Sequence, residues 1–514
     1  MKKISQIGNK VLLHPMMSFL IMTGIVIILS GILDAFGASI TYNSINTRTG
    51  NFESTLITVE SLFSLSGMKY IFSNTVSNFV GFAPLSMLLI SLIGIGIANK
   101  SGFLDTCFFL FTKKLPKTIV TFIFAFACIF FGITGDLVFV VFIPLAALLY
   151  KYGKRNPLVG IVTAFAAMSF GFGTNIVFSA ADSEMVNMTM NAASMITKNY
   201  VIGTKSYLFV MIFAMIIEAV IVTYVSEIFT VPQIGKYEVD EEEIIVDKEK
   251  LTKREKRGLI IAGVGAFIYL LFFIWNIIPH APLGGALLDY SQARYIDKLF
   301  GVDSFFNHGF VFVIIFFFVL CGLLYGLGAK TITNHRDFCN ALSESLDGIG
   351  KVIVLLLCSS IFISLLKYTN IGSLVTALFA NLVDKLNLSG IALILLLFII
   401  SIITTWILPS TVNRWQILSG TVVPAFMNAG ITPEFTQLIF TAGSSIMYGL
   451  TPTMAYFVIY IAFLEKYDKN GIGIVKGTRY LLPYSIFMLV MWIVLIMFWY
   501  FTGLPMGIES SPII

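Results

Sequence analysis

Residues 113–155 read KKLPKTIVTFIFAFACIFFGITGDLVFVVFIPLAALLYKYGKR, and this segment carries the clearest sequence signal of the fold. Its apolar residues 118–150 are closed by lysine and arginine at both ends. Because basic residues mark the cytoplasmic side of a membrane protein, both ends are expected on that side. One apolar segment meets this condition if it enters and leaves the membrane as a helical hairpin. The tip is predicted at 132–136, GITGD, where glycine permits the turn and polar atoms accumulate.

The composition of the whole chain places it in a membrane. Its 514 residues are 57% hydrophobic and 12% charged, with a mean hydropathy of +0.90, whereas a soluble domain carries roughly 25% charged residues. Apolar stretches of about 20 residues, long enough to cross a bilayer, recur along the chain. The formal charge of +5 comes from short basic runs between these stretches, which indicates membrane topology and no nucleic-acid partner. The lipid bilayer is the expected environment.

The five cysteines and four histidines form no catalytic or metal-binding pattern. The cysteines contain no CxxC motif, and the histidines lie scattered near segment ends. The sequence therefore predicts no enzyme, no certain metal site and no cofactor.

A broken helix is predicted after the first hairpin. It is interrupted at 169–175, SFGFGTN, at what should be mid-membrane depth. Non-helical backbone is tolerated there only when it is buried in protein or lines a cavity. Gly171, Gly173 and Asn175 are therefore candidate binding residues for an ion or a substrate, with glycine packing between helices as the alternative.

A second hairpin and a second broken helix are predicted nearer the C-terminus. The apolar segment 389–427 has LPSTVNRW (408–415) at its centre and lacks basic flanks, so it is expected to enter from the outside. The following helix is interrupted between 443 and 452. The candidate binding residues of these two elements are Ser410, Thr411, Asn413, Ser444, Ser445 and Thr451.

The two halves of the chain have the same order of elements. Pro157 lies 12 residues before Ser169 in the first half, and Pro433 lies 12 residues before Ser445 in the second. Hairpin, proline turn and broken helix, repeated in opposite orientation, are typical of a transporter whose site lies at the interface of inverted repeats. We therefore predict an all-α polytopic membrane protein with two re-entrant helical hairpins in two inverted repeats.

The halves are expected at residues 1–228 and 258–514, joined by a charged cytoplasmic linker at 229–257. The linker contains EEE at 241–243 and KREKR at 253–257. Basic residues near the start of the chain place the N-terminus in the cytoplasm. The predicted crossings then leave the C-terminus outside.

Several motifs resemble the aminobenzoyl-glutamate transporter (AbgT) family. They include NFVGFAPL at 78–85, GIGIANKSG at 94–102, RW at 414–415 and LPYS at 482–485. The likeness runs over nearly the whole chain, and the motifs are specific as an ordered set. It implies nine spans plus two hairpins in an ion-transporter-superfamily-like fold, and a homodimer in the bacterial cytoplasmic membrane.

The same resemblance implies a small-molecule substrate. Family members carry out ion-coupled secondary transport of aminobenzoyl-glutamate or of folate-pathway antimetabolites such as sulfonamides, by alternating access. Some import and others export, and the direction stays open here. Carried over by motif, the family's functional aspartate falls on Asp182, its hairpin tryptophan on Trp415, and its two prolines on Pro433 and Pro452. Trp415 is expected to contact substrate, with a residue of the interfacial aromatic belt as the alternative.

The chain departs from the family pattern in the second broken helix. Where the family has Arg and, three residues on, Asp, this chain has Thr441 and Ser444, and Tyr448 replaces an Asn. Residues three apart on a helix face each other, so the loss of both charges is expected to leave no orphaned charge. It also removes a clamp for a glutamate carboxylate. Arg414, in the second hairpin, is expected either to be a nearby cation or to extend to the surface.

Three acidic residues lie at membrane depth, where an ionisable group indicates function by default. Asp182 is a candidate for coupling or binding, or the loop end of its helix. Asp136 at the first hairpin tip could contact an ion or substrate, or cap the returning helix. Glu218 could relay protons or pair with a polar group on a neighbouring helix. The coupling ion is a proton or sodium, with sodium expected near Asn175 and Thr451.

Two other functions fit parts of the sequence. A sodium-coupled carboxylate transporter has a similar architecture and hairpin tips rich in Ser, Asn and Thr. A membrane-embedded hydrolase is the distant alternative, but it would need an intramembrane histidine, matched aspartates or a Gly-x-Ser-x-Gly elbow.

Overall fold

The computed structural model describes residues 13–45, 52–176, 178–203, 205–235, 250–293, 295–300, 305, 309–386, 388–468 and 471–514. Within these residues, nine helical segments are long and apolar enough to cross a membrane. A helix satisfies its backbone hydrogen bonds internally, and the hydrocarbon of a bilayer offers no partners for them. The helical membrane fold is therefore confirmed. The acidic run at 241–243 in the predicted linker lies outside the described residues.

The first half contains ten helices and one small sheet among its described residues. In chain order they are α1 (Pro15–Ala35), β1 (Ser39–Ile45), β2 (Phe52–Thr58), α2 (Leu65–Val80), α3 (Ala83–Lys100), α4 (Phe103–Lys114), α5 (Lys117–Phe130), α6 (Leu137–Tyr152), α7 (Pro157–Phe170), α8 (Ala180–Ala193), α9 (Leu208–Val225) and α10 (Val231–Ile234). A 3-10 turn, Phe131–Thr134, follows α5, and a π-helical turn, Ser226–Thr230, joins α9 to α10.

The regular elements named in the described part of the second half are all helices. Its helices are α11 (Lys253–Asn276), α12 (Tyr295–Phe300), α13 (Phe310–Ala329), α14 (His335–Glu344), α15 (Gly350–Tyr368), α16 (Ile371–Leu386), α17 (Gly390–Ile407), α18 (Thr411–Asn428), α19 (Pro433–Tyr448), α20 (Phe457–Tyr467) and α21 (Ile474–Thr502).

The two predicted hairpins and the two broken helices are present as helix pairs. The first hairpin consists of α5 and α6, and its tip lies at residues 131–136, as predicted. The second consists of α17 and α18, joined at residues 408–410. The broken helices are α7 with α8, interrupted at 171–179, and α19 with α20, interrupted at 449–456. Both interruptions begin later than the predicted 169 and 443, because residues 169–170 and 443–448 continue their helices.

The broken helices form the centre of the molecule. Every residue of α7 is buried, and nearly every residue of α19 is as well. In contrast, only 11% of the apolar window of α11 is buried, so its side chains are free to face lipid. The breaks therefore lie inside protein, where interrupted backbone is tolerated.

The polar sequence from Ser39 to about Ser77, which is poor in Lys and Arg, predicts an external loop with some amphipathic helix. The structure differs, because part of this segment forms two strands. Strands β1 and β2 pair antiparallel, with Ser39 opposite Thr58 and Ile45 opposite Phe52. Tyr42 of β1 is buried against Ala377 of α16. The chain is thus not strictly all-α, because an alternating polar and apolar segment can bury one face of a hairpin against helices.

The apolar sequence from Phe79 to Phe111 predicts a single membrane span, and this prediction is also wrong. The segment is divided into α3 and α4 by a turn at Gly102, whose φ of +86° is a conformation that glycine adopts readily. A second feature missed by the sequence is the C-terminal segment 503–514. It lies across the starts of α9 and α19, where Thr432 N donates to Pro512 O at 3.1 Å and Ile508 N donates to Lys205 O at 3.0 Å.

Candidate functional site

A cavity of about 450 Å³ lies where the two hairpin tips meet the two helix breaks. It is lined by both the first hairpin tip and the first break, and by the second hairpin tip and the second broken helix. The sequence-predicted residues that the structure brings to its wall are Asp136, Gly173, Asn175, Asp182, Ser410 and Thr411. Thr441, where the chain departs from the family pattern, lies on the wall as well. Residues from four separate segments therefore converge on this cavity.

Asp182 lines this cavity and also caps α8. Its Oδ2 accepts hydrogen bonds from Asn175 Nδ2 at 2.8 Å, from Ser179 N at 2.9 Å and from Ser179 Oγ at 2.7 Å. Ser179 Oγ in turn accepts from Asp182 N, which completes a capping box at the start of α8. The same carboxylate thus fixes the break, orients Asn175 and contributes to the cavity wall.

Asp136 stands at the N-cap position of α6 but its side chain makes no capping hydrogen bond. The interpretation of Asp136 as a helix cap is therefore wrong. The residue lines the cavity at the hairpin tip, next to Gly135 with its φ of +68°. Its carboxylate is available to a bound species instead of being used by its own helix.

The second hairpin tip opens toward two cavities. Ser410 caps α18 by accepting from Asn413 N at 3.4 Å, and Thr411 begins the helix. Asn413 lies away from the central cavity and lines a neighbouring cleft of about 620 Å³, together with residues of β1 and β2. Ser410 and Thr453 line both spaces.

Eight predicted site residues lie outside the cavity wall. Gly171 serves close helix packing, because a Cβ there would lie 2.9 Å from Cγ1 of Ile129. Thr451 Oγ1 donates to Trp406 O at 2.7 Å and therefore links the second break to α17. The eight are Gly171, Asn413, Trp415, Pro433, Ser444, Ser445, Thr451 and Pro452.

Trp415 is buried in the protein core, with no exposed surface. Its Nε1 donates to Thr189 Oγ1 at 2.8 Å, and its ring packs on Phe440 with a centroid distance of 4.7 Å. Thr189 Oγ1 also donates to Gln437 Oε1 at 2.6 Å. The indole therefore joins α18 to α8 and α19, and the structure does not place it on the cavity wall where the resemblance implied substrate contact.

Arg414 is also fully buried, so it does not extend to the surface. Its Nη1 donates to Ser401 O at 3.2 Å and to Ser444 Oγ at 3.1 Å, and the guanidinium lies 5.0 Å from the centroid of Phe440. Nε and Nη2 have no hydrogen-bond partner, and no ion pair among the described residues includes this side chain. The expectation that no charge is orphaned is therefore wrong, because Ser444 stands beside Arg414 where the family pattern has an aspartate.

The two breaks are in direct contact through glycine. Gly173 and Gly449 each lie 16 residues after the proline that begins their broken helix. A Cβ on Gly173 would collide with Thr441 Cγ2, and one on Gly449 would collide with Ser169 Oγ. Each glycine thus leaves room for a hydroxyl-bearing residue of the opposite broken helix. The equal spacing of the two glycines from their prolines is the sequence signal for this contact.

An aromatic pair on the cavity wall was also missed as a site feature. Phe172 and Tyr448 stack with ring centroids 4.2 Å apart. Phe172 lies in the first break, Tyr448 is the last residue of α19 before the second break, and Tyr456 lines the same cavity. Such faces are suited to packing against a flat ring.

The described residues contain no group of three or more His, Cys, Asp or Glu side chains that could hold a metal ion. Glu218 does have a polar neighbour on another element, because Thr174 Oγ1 donates to its Oε1 at 3.0 Å.

Comparison with known proteins places this geometry among transporters. A family profile described as "AbgT putative transporter family" matches residues 1–514. The p-aminobenzoyl-glutamate transport protein of Escherichia coli is 26% identical over 99% of this chain and 96% of its own length.

Two solved structures are similar over almost the full length. The crystal structure of the YdaH transporter from Alcanivorax borkumensis has a TM-score of 0.50 at 26% identity and covers 96% of this chain and 100% of its own. MtrF of Neisseria gonorrhoeae, which represents a class of antimetabolite efflux pumps, has a TM-score of 0.51 at 31% identity and covers 98% of both chains. The chain, a multi-pass membrane transporter, belongs to the AbgT family.

Proposed function

We propose that this protein is an ion-coupled secondary transporter that exports folate-pathway antimetabolites of the sulfonamide kind. The observation that carries the proposal is the cavity of about 450 Å³ enclosed by both hairpin tips and both breaks, since carriers with such elements bind their cargo near the midplane. The similarity to MtrF supports export of antimetabolites. Membership of a transporter family removes the membrane-embedded hydrolase as an alternative.

The cavity residues suit an aromatic cargo that carries polar groups. In this proposal, the stacked rings of Phe172 and Tyr448 pack against the aromatic ring of the substrate. Asp136 and Asp182 bind its amine, and Ser410 contributes a hydroxyl. The other binding roles go to the remaining predicted residues on the wall, namely Gly173, Asn175 and Thr411, and to Thr441 beside them. We propose a proton as the coupling ion.

A second candidate is a sodium-coupled carboxylate transporter, and one observation favours it. Arg414 is a buried cation with two free donor nitrogens, and a guanidinium pairs well with a carboxylate. In that function, sodium would be held near the freed backbone at Asn175 and Thr451.

We further propose two inverted repeats, residues 1–228 and 258–514, joined by the linker at 229–257. Support comes from the repeated order of elements and from the equal 16-residue spacing of Gly173 and Gly449 from Pro157 and Pro433. We also propose a homodimer in the bacterial cytoplasmic membrane, with the N-terminus inside and the C-terminus outside.

The proposed function predicts drug extrusion driven by an ion gradient. Inside-out membrane vesicles from cells that produce the protein should accumulate a labelled sulfonamide when an inward-acid pH gradient is imposed, and should not when a sodium gradient is imposed alone. Labelled p-aminobenzoyl-glutamate and a small dicarboxylate are measured in parallel. Sodium-driven movement of the dicarboxylate, weakened by Ser444→Asp because the new carboxylate pairs with Arg414, would establish the second candidate instead.

The proposed topology predicts that both ends of the first hairpin face the cytoplasm. Single-cysteine variants Lys114→Cys and Lys154→Cys, in a background without the five native cysteines, should resist a membrane-impermeant maleimide added to whole cells. Both side chains are exposed, so only the membrane protects them. Glu509→Cys, also exposed and proposed to lie outside, is the positive control. Labelling of either hairpin variant from outside would contradict this orientation.

A further inference from the structure

Glu218 is a fully buried carboxyl group in the middle of α9. Its Oε1 accepts one hydrogen bond, from the neutral hydroxyl of Thr174 at 3.0 Å. Its Oε2 has no hydrogen-bond partner. No ion pair within the described ranges includes Glu218, so its charge, if present, would be uncompensated.

An isolated carboxylate in a membrane interior is strongly unfavourable, and such a group neutralises itself instead of staying charged. The buried acidic side chains elsewhere in the described chain have more support. Asp182 Oδ2 accepts three hydrogen bonds, and Glu434 accepts from Tyr200 at 2.8 Å at the start of α19. Glu218 is therefore best accommodated as a neutral carboxylic acid.

The titratable and charged groups of the elements packed on α9 do not supply a counter-charge for this site. Helix α7 contains none, and α5 has Lys117 at its exposed first position and the thiol of Cys128. The π-turn carries Glu227, which pairs with Arg155. Those of α21 are Lys476, Arg479, Tyr480, Tyr484 and Tyr500, with Tyr484 bonded to Thr230.

Thr174 connects Glu218 to the transport cavity. It lies in the first break, between Gly173 and Asn175, and both neighbours line the cavity. Rearrangement of this break during alternating access would move Thr174, the one hydrogen-bond donor to Glu218 among the described residues, and change the access of Glu218 to water. The state of the carboxyl group and the state of the break are thereby linked.

We propose that Glu218 is the proton-binding site through which this transporter is coupled to a pH gradient, an inference that rests on the proposed function for its role in transport. In the conformation described here, Glu218 carries the proton. When the break opens, the O–H bond breaks, the electron pair stays on the carboxylate, and the proton passes to a water molecule in the cavity. Return to the closed break requires a proton from the other side of the membrane.

Glu218→Gln imitates the neutral acid and tests this assignment. In proteoliposomes, the variant should lose accumulation of labelled sulfonamide driven by a pH gradient, but it should still exchange labelled for unlabelled sulfonamide without a gradient. Glu218→Asp should retain gradient-driven accumulation with a shifted pH profile. Glu434→Gln, which changes the other buried glutamate of the described residues, is the matched control and should keep both activities.

A second measurement does not depend on transport. The infrared spectrum of the purified parent should show the carbonyl band of a buried protonated carboxylic acid, and this band should disappear in Glu218→Gln. Gradient-driven accumulation equal to the parent in Glu218→Gln, or an unchanged carbonyl band, would overturn the proton site. A parent that moves no tested substrate would instead refute the proposed function, and the infrared band would still decide the protonation of Glu218.

Discussion

Asp182→Asn is expected to abolish both gradient-driven accumulation and gradient-free exchange of substrate. The change keeps the size of the side chain and an oxygen that can accept the bonds from Ser179, but it removes the negative charge from the cavity wall. Loss of an acidic group near a helix N-terminus costs only about 0.3–1 kcal/mol, so the protein should remain folded. Transport in proteoliposomes and the yield of monodisperse protein measure the two effects.

Ser179→Ala separates the structural role of this carboxylate from its role in binding. The change removes the hydroxyl of the capping box and leaves Asp182 ionised. A lost N-cap costs typically about 1 kcal/mol, so only a partial loss of transport is expected. Equal loss in Ser179→Ala and Asp182→Asn would mean that Asp182 matters as a cap alone. Retained exchange in Asp182→Asn would contradict a role in substrate binding.

Gly173→Ala is expected to cause the second large loss, this time of correctly assembled protein. Its φ of +83° disfavours a side chain by roughly 1–2 kcal/mol. The added Cβ would also collide with Thr441 Cγ2, and overpacking of this kind costs typically 1–3 kcal/mol. Thermal stability in detergent and transport activity should both fall well below those of the parent.

Gly430→Ala is the matched control for Gly173→Ala. Its φ of +79° is nearly the same, but a Cβ there meets no atom within 4 Å. Gly430→Ala should therefore lose stability only through the unfavourable backbone conformation. Combining Gly173→Ala with Thr441→Ser removes the colliding methyl group and should recover stability to the level of Gly430→Ala. No recovery in the double variant would show that contact between the breaks does not limit packing.

The hairpins and breaks could be predicted because their signals are local. Glycine, proline and polar residues inside an apolar run conflict with a continuous membrane helix, and the tip at 131–136 and the interruption at 171–179 lie where those residues occur. The convergence of Asp136, Asn175 and Asp182 followed from the same signals. Local chemistry and membrane physics were sufficient for these features.

The positions of Trp415 and Arg414 could not be predicted in this way. Both follow the second hairpin tip, where a polar or aromatic side chain could face either the cavity or the core. Their burial depends on Thr189, Ser401 and Ser444, which are distant in sequence. The antiparallel pairing of β1 and β2 was missed for the same reason, because a half-buried hairpin is specified by the helices that cover it.

The C-terminal segment has a practical consequence for handling the protein. Ile514 N donates to Gly430 O at 3.0 Å, and Ile513 pairs with Ile431 in an antiparallel bridge next to the start of α19. An affinity tag or fluorescent reporter joined directly at this position would disturb the hydrogen bonds to the turn that precedes the second broken helix. Fusions made there should include a flexible spacer, and transport measured with and without the spacer would show how firmly this end of the chain secures that turn.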